Sequence, residues 1–485
     1  MPSSERPPLV RERPDATVRP STTVRTGTAP PAGQDRLAAF RRWFDERAHV
    51  NRMDITRVPL HATTGWLIEP GTGNLCHTSG RFYSVEGLQV QTDGEWHPQW
   101  IQPVIVQPET GVLGLLVKEE GGTLHCLMQA KVEPGNMGGL QLSPTVQATR
   151  SNLTGVHGGR AVRYVEYFTD RRHGRVVADS LQSEQGSWFL GKRNRNIIVQ
   201  VFDEVPLGDD FRWFTLDEIG ELLHWDNLVN MDSRTVLSCL PPALVARVRE
   251  GTPSADDDFS AAVRASFAGQ GRPVHASGEV LSRLTDARMR HRVLRRRVPL
   301  DRVRDDGWQV SEDEIARPDG KYFRIVGVEV RGAGRREVAS WAQPLLAPTG
   351  QGTVTLVVRR IGDVLHALVR CRVEAGTLNV AELGPSVQHL RANYADLPEA
   401  GRPPELEQLV PGKALTRFDA VHSEEGGRFH HAVNRYRVVE AIDGELPDPP
   451  QDFMWVTLAQ LADLLRHSNY LNVELRSLIA SLHTL

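Results

Sequence analysis

Hydrophobic positions recur along this chain in two periods, and the change from one to the other marks its elements. From Asp35, a good N-cap, Leu37, Phe40 and Phe44 recur at helical spacing with Trp43 beside them, which predicts an amphipathic helix to about Ala48. Between Val58 and Val205 the apolar runs are short and broken by Gly, Pro and Asp, the pattern of strands and turns. The strand pattern is sharpest over 124–133: Leu124, Cys126, Met128, Ala130 and Val132 alternate with His125, Leu127, Gln129, Lys131 and Glu133. A period of two puts these sets on opposite faces of a sheet. Thr215 then caps a predicted helix whose apolar face is Leu216, Ile219, Leu222 and Leu223, and a helical run from about Asp232 to Leu240 closes the unit.

The plan then begins again. Val58-Pro59-Leu60 returns as Val298-Pro299-Leu300, and Trp100-Ile101-Gln102-Pro103 as Trp341-Ala342-Gln343-Pro344. The alternating strand returns as Leu365, Ala367, Val369, Cys371 and Val373 against His366, Arg370, Arg372 and Glu374. The offset stays between 240 and 242, far longer than a solenoid period, so each copy is a domain. This divides the chain into repeat 1 (35–240), a Pro-, Asp- and Gly-containing linker (241–274) with room for one helix, and repeat 2 (275–485). Residues 1–34, rich in Pro, Arg, Ser and Thr without apolar periodicity, are expected to be a disordered tail.

Composition narrows the function classes. A net charge of −3 over 485 residues argues against a general nucleic-acid or membrane binder, and no apolar run approaches the roughly 20 residues needed to span a bilayer. Cys76, Cys126, Cys239 and Cys371 form no C-x-x-C pair, and no secretory signal is read ahead of the fold, so a soluble cytoplasmic protein is expected. Five lysines stand against 52 arginines (57 − 5), the bias of a GC-rich coding sequence, which weakens arguments from arginine number alone.

Two pairs of polar motifs stand out. Pro-hydroxyl-Val-Gln followed by Arg and Asn occurs at Pro144-Thr145-Val146-Gln147 with Arg150 and Asn152, and at Pro385-Ser386-Val387-Gln388 with Arg391 and Asn393. Ser-Glu-x-Gly followed by Asn-Arg occurs at Ser183-Glu184-Gln185-Gly186 with Asn194-Arg195, and at Ser423-Glu424-Glu425-Gly426 with Asn434-Arg435. Gly186 to Lys192 nearly spells a P-loop, but Arg193 stands where a Mg²⁺-binding hydroxyl is needed and the context is strand to strand, so a nucleotide triphosphatase is rejected. His430 and His431, read as strand neighbours, would point to opposite faces and share no metal. No Rossmann fingerprint, H-E-x-x-H, G-x-S-x-G or zinc-type cysteine spacing is present.

The run Leu140 to Asn152, the Ser183-Glu184-Gln185-Gly186 and Lys192-Arg193-Asn194-Arg195-Asn196 pair, and Ser423-Glu424-Glu425-Gly426 with Asn434-Arg435-Tyr436 together resemble the NDP-hexose 2,3-dehydratase family. The resemblance covers nearly everything after residue 35. It implies an α+β fold, a tandem duplication of a Nudix-like domain with a curved mixed β-sheet and flanking helices. The Nudix box is absent here, so it implies the fold without the diphosphate hydrolase. It also implies a homodimer, a dTDP-4-keto-6-deoxyglucose substrate that loses water across C2 and C3, no redox cofactor, an open metal requirement, and a 3-ketoreductase that consumes the product.

That chemistry needs a base, an acid, an oxyanion donor and cations for the diphosphate. Glu184 or Glu424 is the expected base, with Glu425 or His430 as acid in the second copy. His125 or His366 is expected to donate to the oxyanion. Arg150 or Arg391, with Asn152 or Asn393, and Arg195 or Arg435 are expected on phosphate, and Trp100 or Trp341 on thymine. Lys131, Thr145, Gln147, Lys192, Asn194, Arg372, Ser386, Gln388 and Asn434 complete the expected binding residues, two pockets with one working active site. The competing reading is a duplicated nucleotide-sugar-binding module without turnover.

Overall fold

The computed structural model of the chain describes residues 31–93, 98–149, 162–249, 258–332, 340–398, 402, 414–441 and 449–485. The alternation over 124–133 becomes strand Thr123–Val132 of a seven-stranded sheet. The order is Arg175–Ser183, Arg193–Gln200, Gly111–Glu120, Thr123–Val132 and Phe211–Thr215, with Val146–Ala148 added to Gly111–Glu120 and Leu140–Ser143 to Thr123–Val132. Only Arg193–Gln200 runs parallel to its neighbour Gly111–Glu120, and the other pairs are antiparallel. Repeat 2 builds the same mixed sheet from Ala414–Ser423, Val433–Ala441, Gly352–Ile361, Val364–Val373 and Phe453–Thr457, with Val387–His389 and Ala381–Gly384 in the added places.

The apolar faces of both sheets enter one core. Leu124, Cys126 and Met128 share it with Leu365, Ala367, Val369 and Cys371, and with helices Leu216–Leu223, Met231–Leu237, Leu458–Leu465 and Val473–Thr484. Thr215 caps its helix through a reciprocal box with Glu218, and Thr457 does the same with Gln460. The first helix, Pro31–Val50, starts four residues before Asp35; it buries Phe40 against Phe214 and Trp225. Of the expected tail, residues 1–30 lie outside the described residues. The stretch read as a linker carries two helices, Pro242–Arg249 and Asp258–Phe267, where one was expected. Leu244, Val245, Phe259 and Val263 are buried in the shared core, a contribution that the Pro- and Asp-rich flanks conceal.

Two smaller sheets tie the halves together by exchanging strands. Met53–Val58 of repeat 1 pairs with Phe323–Gly332 of repeat 2, from Met53 opposite Gly332 to Val58 opposite Gly327. Val293–Val298 of repeat 2 pairs with Ser84–Thr92 of repeat 1, from Val293 opposite Thr92 to Val298 opposite Gly87. Met53 and Ile55 pack on Val326, Val328 and Val330, so the donated strand buries apolar surface as well as completing a ladder. Cys76, Cys126, Cys239 and Cys371 are free thiols, and among the described residues no helix is long and apolar enough to cross a membrane.

Each half alone would lack one strand of its small sheet and one side of the shared core. Fragments 35–240 and 275–485 expressed separately are therefore expected to show no cooperative thermal transition by circular dichroism, and to regain one when co-expressed.

Candidate active site

Each large sheet ends in a turn that reaches across to the other half. After strand Thr123–Val132, Gly135 donates its N–H to the Gly426 carbonyl (2.7 Å) and accepts from His431 N (2.9 Å). After strand Val364–Val373, Gly376 donates to the Gly186 carbonyl (2.6 Å) and accepts from Gly191 N (2.8 Å). A Cβ on Gly135 would lie 1.6 Å from the Phe429 carbonyl oxygen, and one on Gly376 1.7 Å from that of Phe189, so only glycine permits the approach. Each Ser-Glu-x-Gly hairpin thus closes over the sheet of the opposite half, so residues of both repeats meet over each sheet.

Over the second sheet lies a cavity of about 520 Å³. Its floor is Arg372, Glu374, Gln388 and Asn434, and its wall is Gln185, Ser187, Trp188 and Trp100 from repeat 1. Arg372 Nε donates to Glu374 Oε1 (3.0 Å), and Ser187 Oγ donates to the same oxygen (3.1 Å). Asn393 lines the rim and accepts from Tyr322 N (2.9 Å). Arg391, in the 3₁₀ turn Arg391–Tyr394, is exposed beside it.

Over the first sheet the equivalent floor is Lys131, Glu133, Gln147 and Asn194. Gln147 Nε2 donates to Glu133 Oε1 (2.8 Å), Lys131 Nζ lies 3.3 Å from the same oxygen, and Asn194 Nδ2 donates to Glu184 Oε1 (2.7 Å). Here Glu184, Asp232 and Glu425 gather with Lys131 and Lys192 within electrostatic reach of one another. Burial, reinforced by Glu425, pushes the Glu184 carboxyl up to about 7. Burial likewise raises Asp232 and Glu425, and it holds the Lys192 ammonium below its ordinary value against the pull of Glu425 and Glu184. Lys192 Nζ donates to the Glu109 carbonyl (2.6 Å). Glu184 Oε2, Glu425 Oε2 and Asp232 Oδ1 are buried without a hydrogen-bond partner.

Among the aligned positions at which the two sites differ, Glu425 belongs with the first sheet where Gln185 belongs with the second, Lys192 corresponds to Ala432, and Asn196 to Tyr436. Glu424 is consequently saturated. It accepts from Asn434 Nδ2, Tyr436 Oη and Gln185 Nε2, each at 2.7 Å.

Other expected residues lie apart from this chemistry. His366 is buried with Nδ1 at the Val364 carbonyl (3.0 Å) and Nε2 accepting from Val274 N (3.1 Å). It stands six residues before Arg372, roughly 20 Å along the strand at about 3.3 Å per residue, and His125 sits at the same remove from Lys131. Arg195 and Arg435 are committed to Asp179 and Asp419, each through two hydrogen bonds of 2.6–2.8 Å. Thr145 accepts from Leu116 N (2.9 Å) and Ser386 from Val357 N (2.9 Å), so both hydroxyls pin strands. Trp341 Nε1 donates to Gln343 Oε1 (2.9 Å), and the ring packs beside Met53 and Ile55 of the donated strand. His430 and His431 occupy a turn, not a strand; a φ of 52° at His431 lets the rings stack at 4.0 Å instead of pointing apart. Arg150 and Asn152 lie outside the described residues.

Sequence reasoning missed the groups behind the hairpins. Arg234 and Arg476 are fully buried. Arg234 donates to the carbonyls of Val229 (2.7 Å) and Ser423 (2.9 Å), and Arg476 to those of Leu471 (2.7 Å) and Ser183 (2.5 Å). Ser183 Oγ donates to Glu382 (2.5 Å), and Gln141 Nε2 to Ser423 Oγ (2.8 Å). A signal was present: Asn230-x-Asp232-x-Arg234 recurs as Asn472-x-Glu474-x-Arg476 at an offset of 242.

A family model described as NDP-hexose 2,3-dehydratase matches residues 37–240 and again 277–482. The chain belongs to the NDP-hexose 2,3-dehydratase family. Three relatives are each called dTDP-4-dehydro-6-deoxy-alpha-D-glucopyranose 2,3-dehydratase. The one from Saccharopolyspora spinosa is 48% identical, covering 92% of this chain and 91% of its own length. That from Streptomyces violaceoruber is 48% identical over 92% and 97%, and that from Amycolatopsis orientalis 46% over 93% and 91%. A solved structure of an ADP compounds hydrolase is 20% identical over 30% of this chain and 75% of its own, with a TM-score of 0.20, too slight a likeness to bear on the fold. Among the described residues, no group of three or more His, Cys, Asp or Glu side chains is arranged to hold a metal ion.

Replacing Arg476 with Met leaves the Ser183 and Leu471 carbonyls without this donor, and a loss of about 2–5 kcal/mol is expected in denaturant unfolding. Burial raises Glu382 to about 7 from an ordinary 4.5. The unfolded chain therefore ionises first, and the folded state loses stability as pH rises from about 4.5 through 7. Glu382→Gln should remove that loss: its stability relative to wild type is expected to improve on the order of 2 kcal/mol between pH 5 and pH 8, read from paired melts.

Proposed function

We propose that this protein is a dTDP-4-keto-6-deoxyglucose 2,3-dehydratase, a hydro-lyase, and that turnover takes place over the first sheet. The names of the three relatives support the substrate. The observation that carries the choice of site is the buried set of Glu184, Glu425 and Lys192, whose aligned second-sheet counterparts are the saturated Glu424, Gln185 and Ala432.

The C4 ketone acidifies the proton on C3. Glu184, with Oε2 unpartnered and its carboxyl near neutrality, is the base that removes it. Lys192 offers an ammonium to the oxyanion that forms at C4, the role first expected of His125 or His366. The electron pair then expels the C2 hydroxyl, which leaves as water with a proton from Glu425. Lys131, Gln147 and Asn194 hold the substrate, joined in this reading by Arg150 and Asn152. The second-sheet cavity, with Trp100, Arg372, Gln388, Asn393 and Asn434, has the volume of a small-molecule site and is read as holding sugar nucleotide without turnover. We read each half as Nudix-like and the protein as a cytoplasmic homodimer. Its reactive dione product calls for a 3-ketoreductase.

Glu184→Gln is expected to lower kcat by about 10²–10⁴-fold, whereas Glu424→Gln should retain most turnover. With Glu184 as base and Glu425 as acid, kcat/KM should rise with pH as Glu184 ionises toward about 7 and fall again at higher pH as Glu425 loses its proton. Equal losses in the two variants, measured with the ketoreductase and NADPH as a coupled assay, would reject the site assignment.

A further inference from the structure

Elimination leaves an enol, and the reaction is complete only when C2 gains a proton and the hydroxyl on C3 loses one. Glu184 and Glu425 account for the elimination, which leaves the donor of the C2 proton to be assigned. Asp232 is the remaining carboxyl of the cluster that no motif indicated. It is 2% exposed at the start of helix Met231–Leu237, and its Oδ1 has no hydrogen-bond partner. Glu474, its aligned counterpart, lines the second-sheet cavity. Its charged neighbours are the carboxyls of Glu425, Glu133 and Glu184 and the Lys131 ammonium, and burial, reinforced by these carboxyls, raises Asp232 well above the ordinary aspartate range.

We propose that Asp232 is a catalytic residue, the acid that protonates one face of C2 as the enol collapses to the 3,4-dione. The inference rests on the dehydratase reading above. The protons balance within the cluster. Glu184 takes the C3 proton, and protonated Glu425 gives its proton to the departing hydroxyl, which leaves as water. As the C2–C3 double bond accepts a proton from Asp232, the O3–H bond breaks, the C3 carbonyl forms, and the O3 proton returns to Glu425. Glu184 passes its proton to the Asp232 carboxylate, so all three groups regain their starting states and the sugar has lost one water.

The test is turnover of full-length enzyme in D₂O with dTDP-4-keto-6-deoxyglucose. An excess of 3-ketoreductase and NADPH is present throughout, so that the dione is reduced before its C2 hydrogens exchange. NMR of the product reads the configuration of deuterium at C2. Wild type is expected to place deuterium in a single configuration. Asp232→Asn should give both configurations, with kcat reduced at least about tenfold; Asp232→Glu, which copies Glu474, should restore the single configuration. Should Asp232→Asn not fold, Asp232→Ser takes its place with the same expected mixture. A single configuration from the variant without the carboxyl, or a mixture from wild type, would overturn the proposal. Failure of wild type to consume the substrate would instead overturn the dehydratase reading.

Discussion

Two fully buried guanidinium groups hold the sites in place. Taking an arginine out of water costs several kcal/mol, and the cost is offset only where every strong donor finds an acceptor. Arg476 meets this by donating to the Leu471 and Ser183 carbonyls and to Thr235 Oγ1, and Arg234 donates to the Val229 and Ser423 carbonyls, so each reaches across the boundary between halves. Ser183 and Ser423 directly precede Glu184 and Glu424, so each hairpin carboxyl of the duplicated plan is tied to a helix of the opposite half. Arg476 also acts on Glu184. Its charge pulls the Glu184 carboxyl down while burial and Glu425 push it up, and the balance falls near 7.

The frame is symmetric, and the chemistry on it is not. Both sheets carry the same strand order, the same single parallel pair and the same crossing glycine. Side chains around the two hairpin carboxyls break the equivalence. At Glu424 a tyrosine hydroxyl and two amides satisfy the carboxylate, whereas at Glu184 one amide does and the second oxygen is left free. A saturated carboxylate is a poor base, since proton transfer to it requires giving up a donor; an unsatisfied buried one is poised to accept a proton. Duplication supplied two frames, and substitutions gave their hairpin carboxyls different surroundings.

Much of the local structure was legible in the sequence because its causes are local. Thr215 and Thr457 cap because a hydroxyl precedes an apolar helix face by one position, and the alternation from Leu124 to Val132 has a single arrangement that buries its apolar set. The binding motifs were legible as motifs but not as roles. Thr145 and Ser386 recur because a hydroxyl there ties two strands, and Arg195 and Arg435 recur because Asp179 and Asp419 stand opposite them. Burial of Arg234, Arg476 and Asp232 left only a weak mark, a polar spacing repeated at 242 residues inside an apolar helix.

By itself, then, the sequence determined the duplication, the period of each element and the family. Tertiary structure alone decided which half completes which site. Met53–Val58 pairs with Phe323–Gly332, yet the duplicated Ser84–Thr92 offers a similar pattern of apolar and small residues, ending at the same aligned glycine. Local spacing is satisfied equally by pairing within a half or across halves. Only the packing of the whole chain around one core, with Gly135 and Gly376 crossing between the halves, selects the exchanged arrangement and brings Glu425 to Glu184.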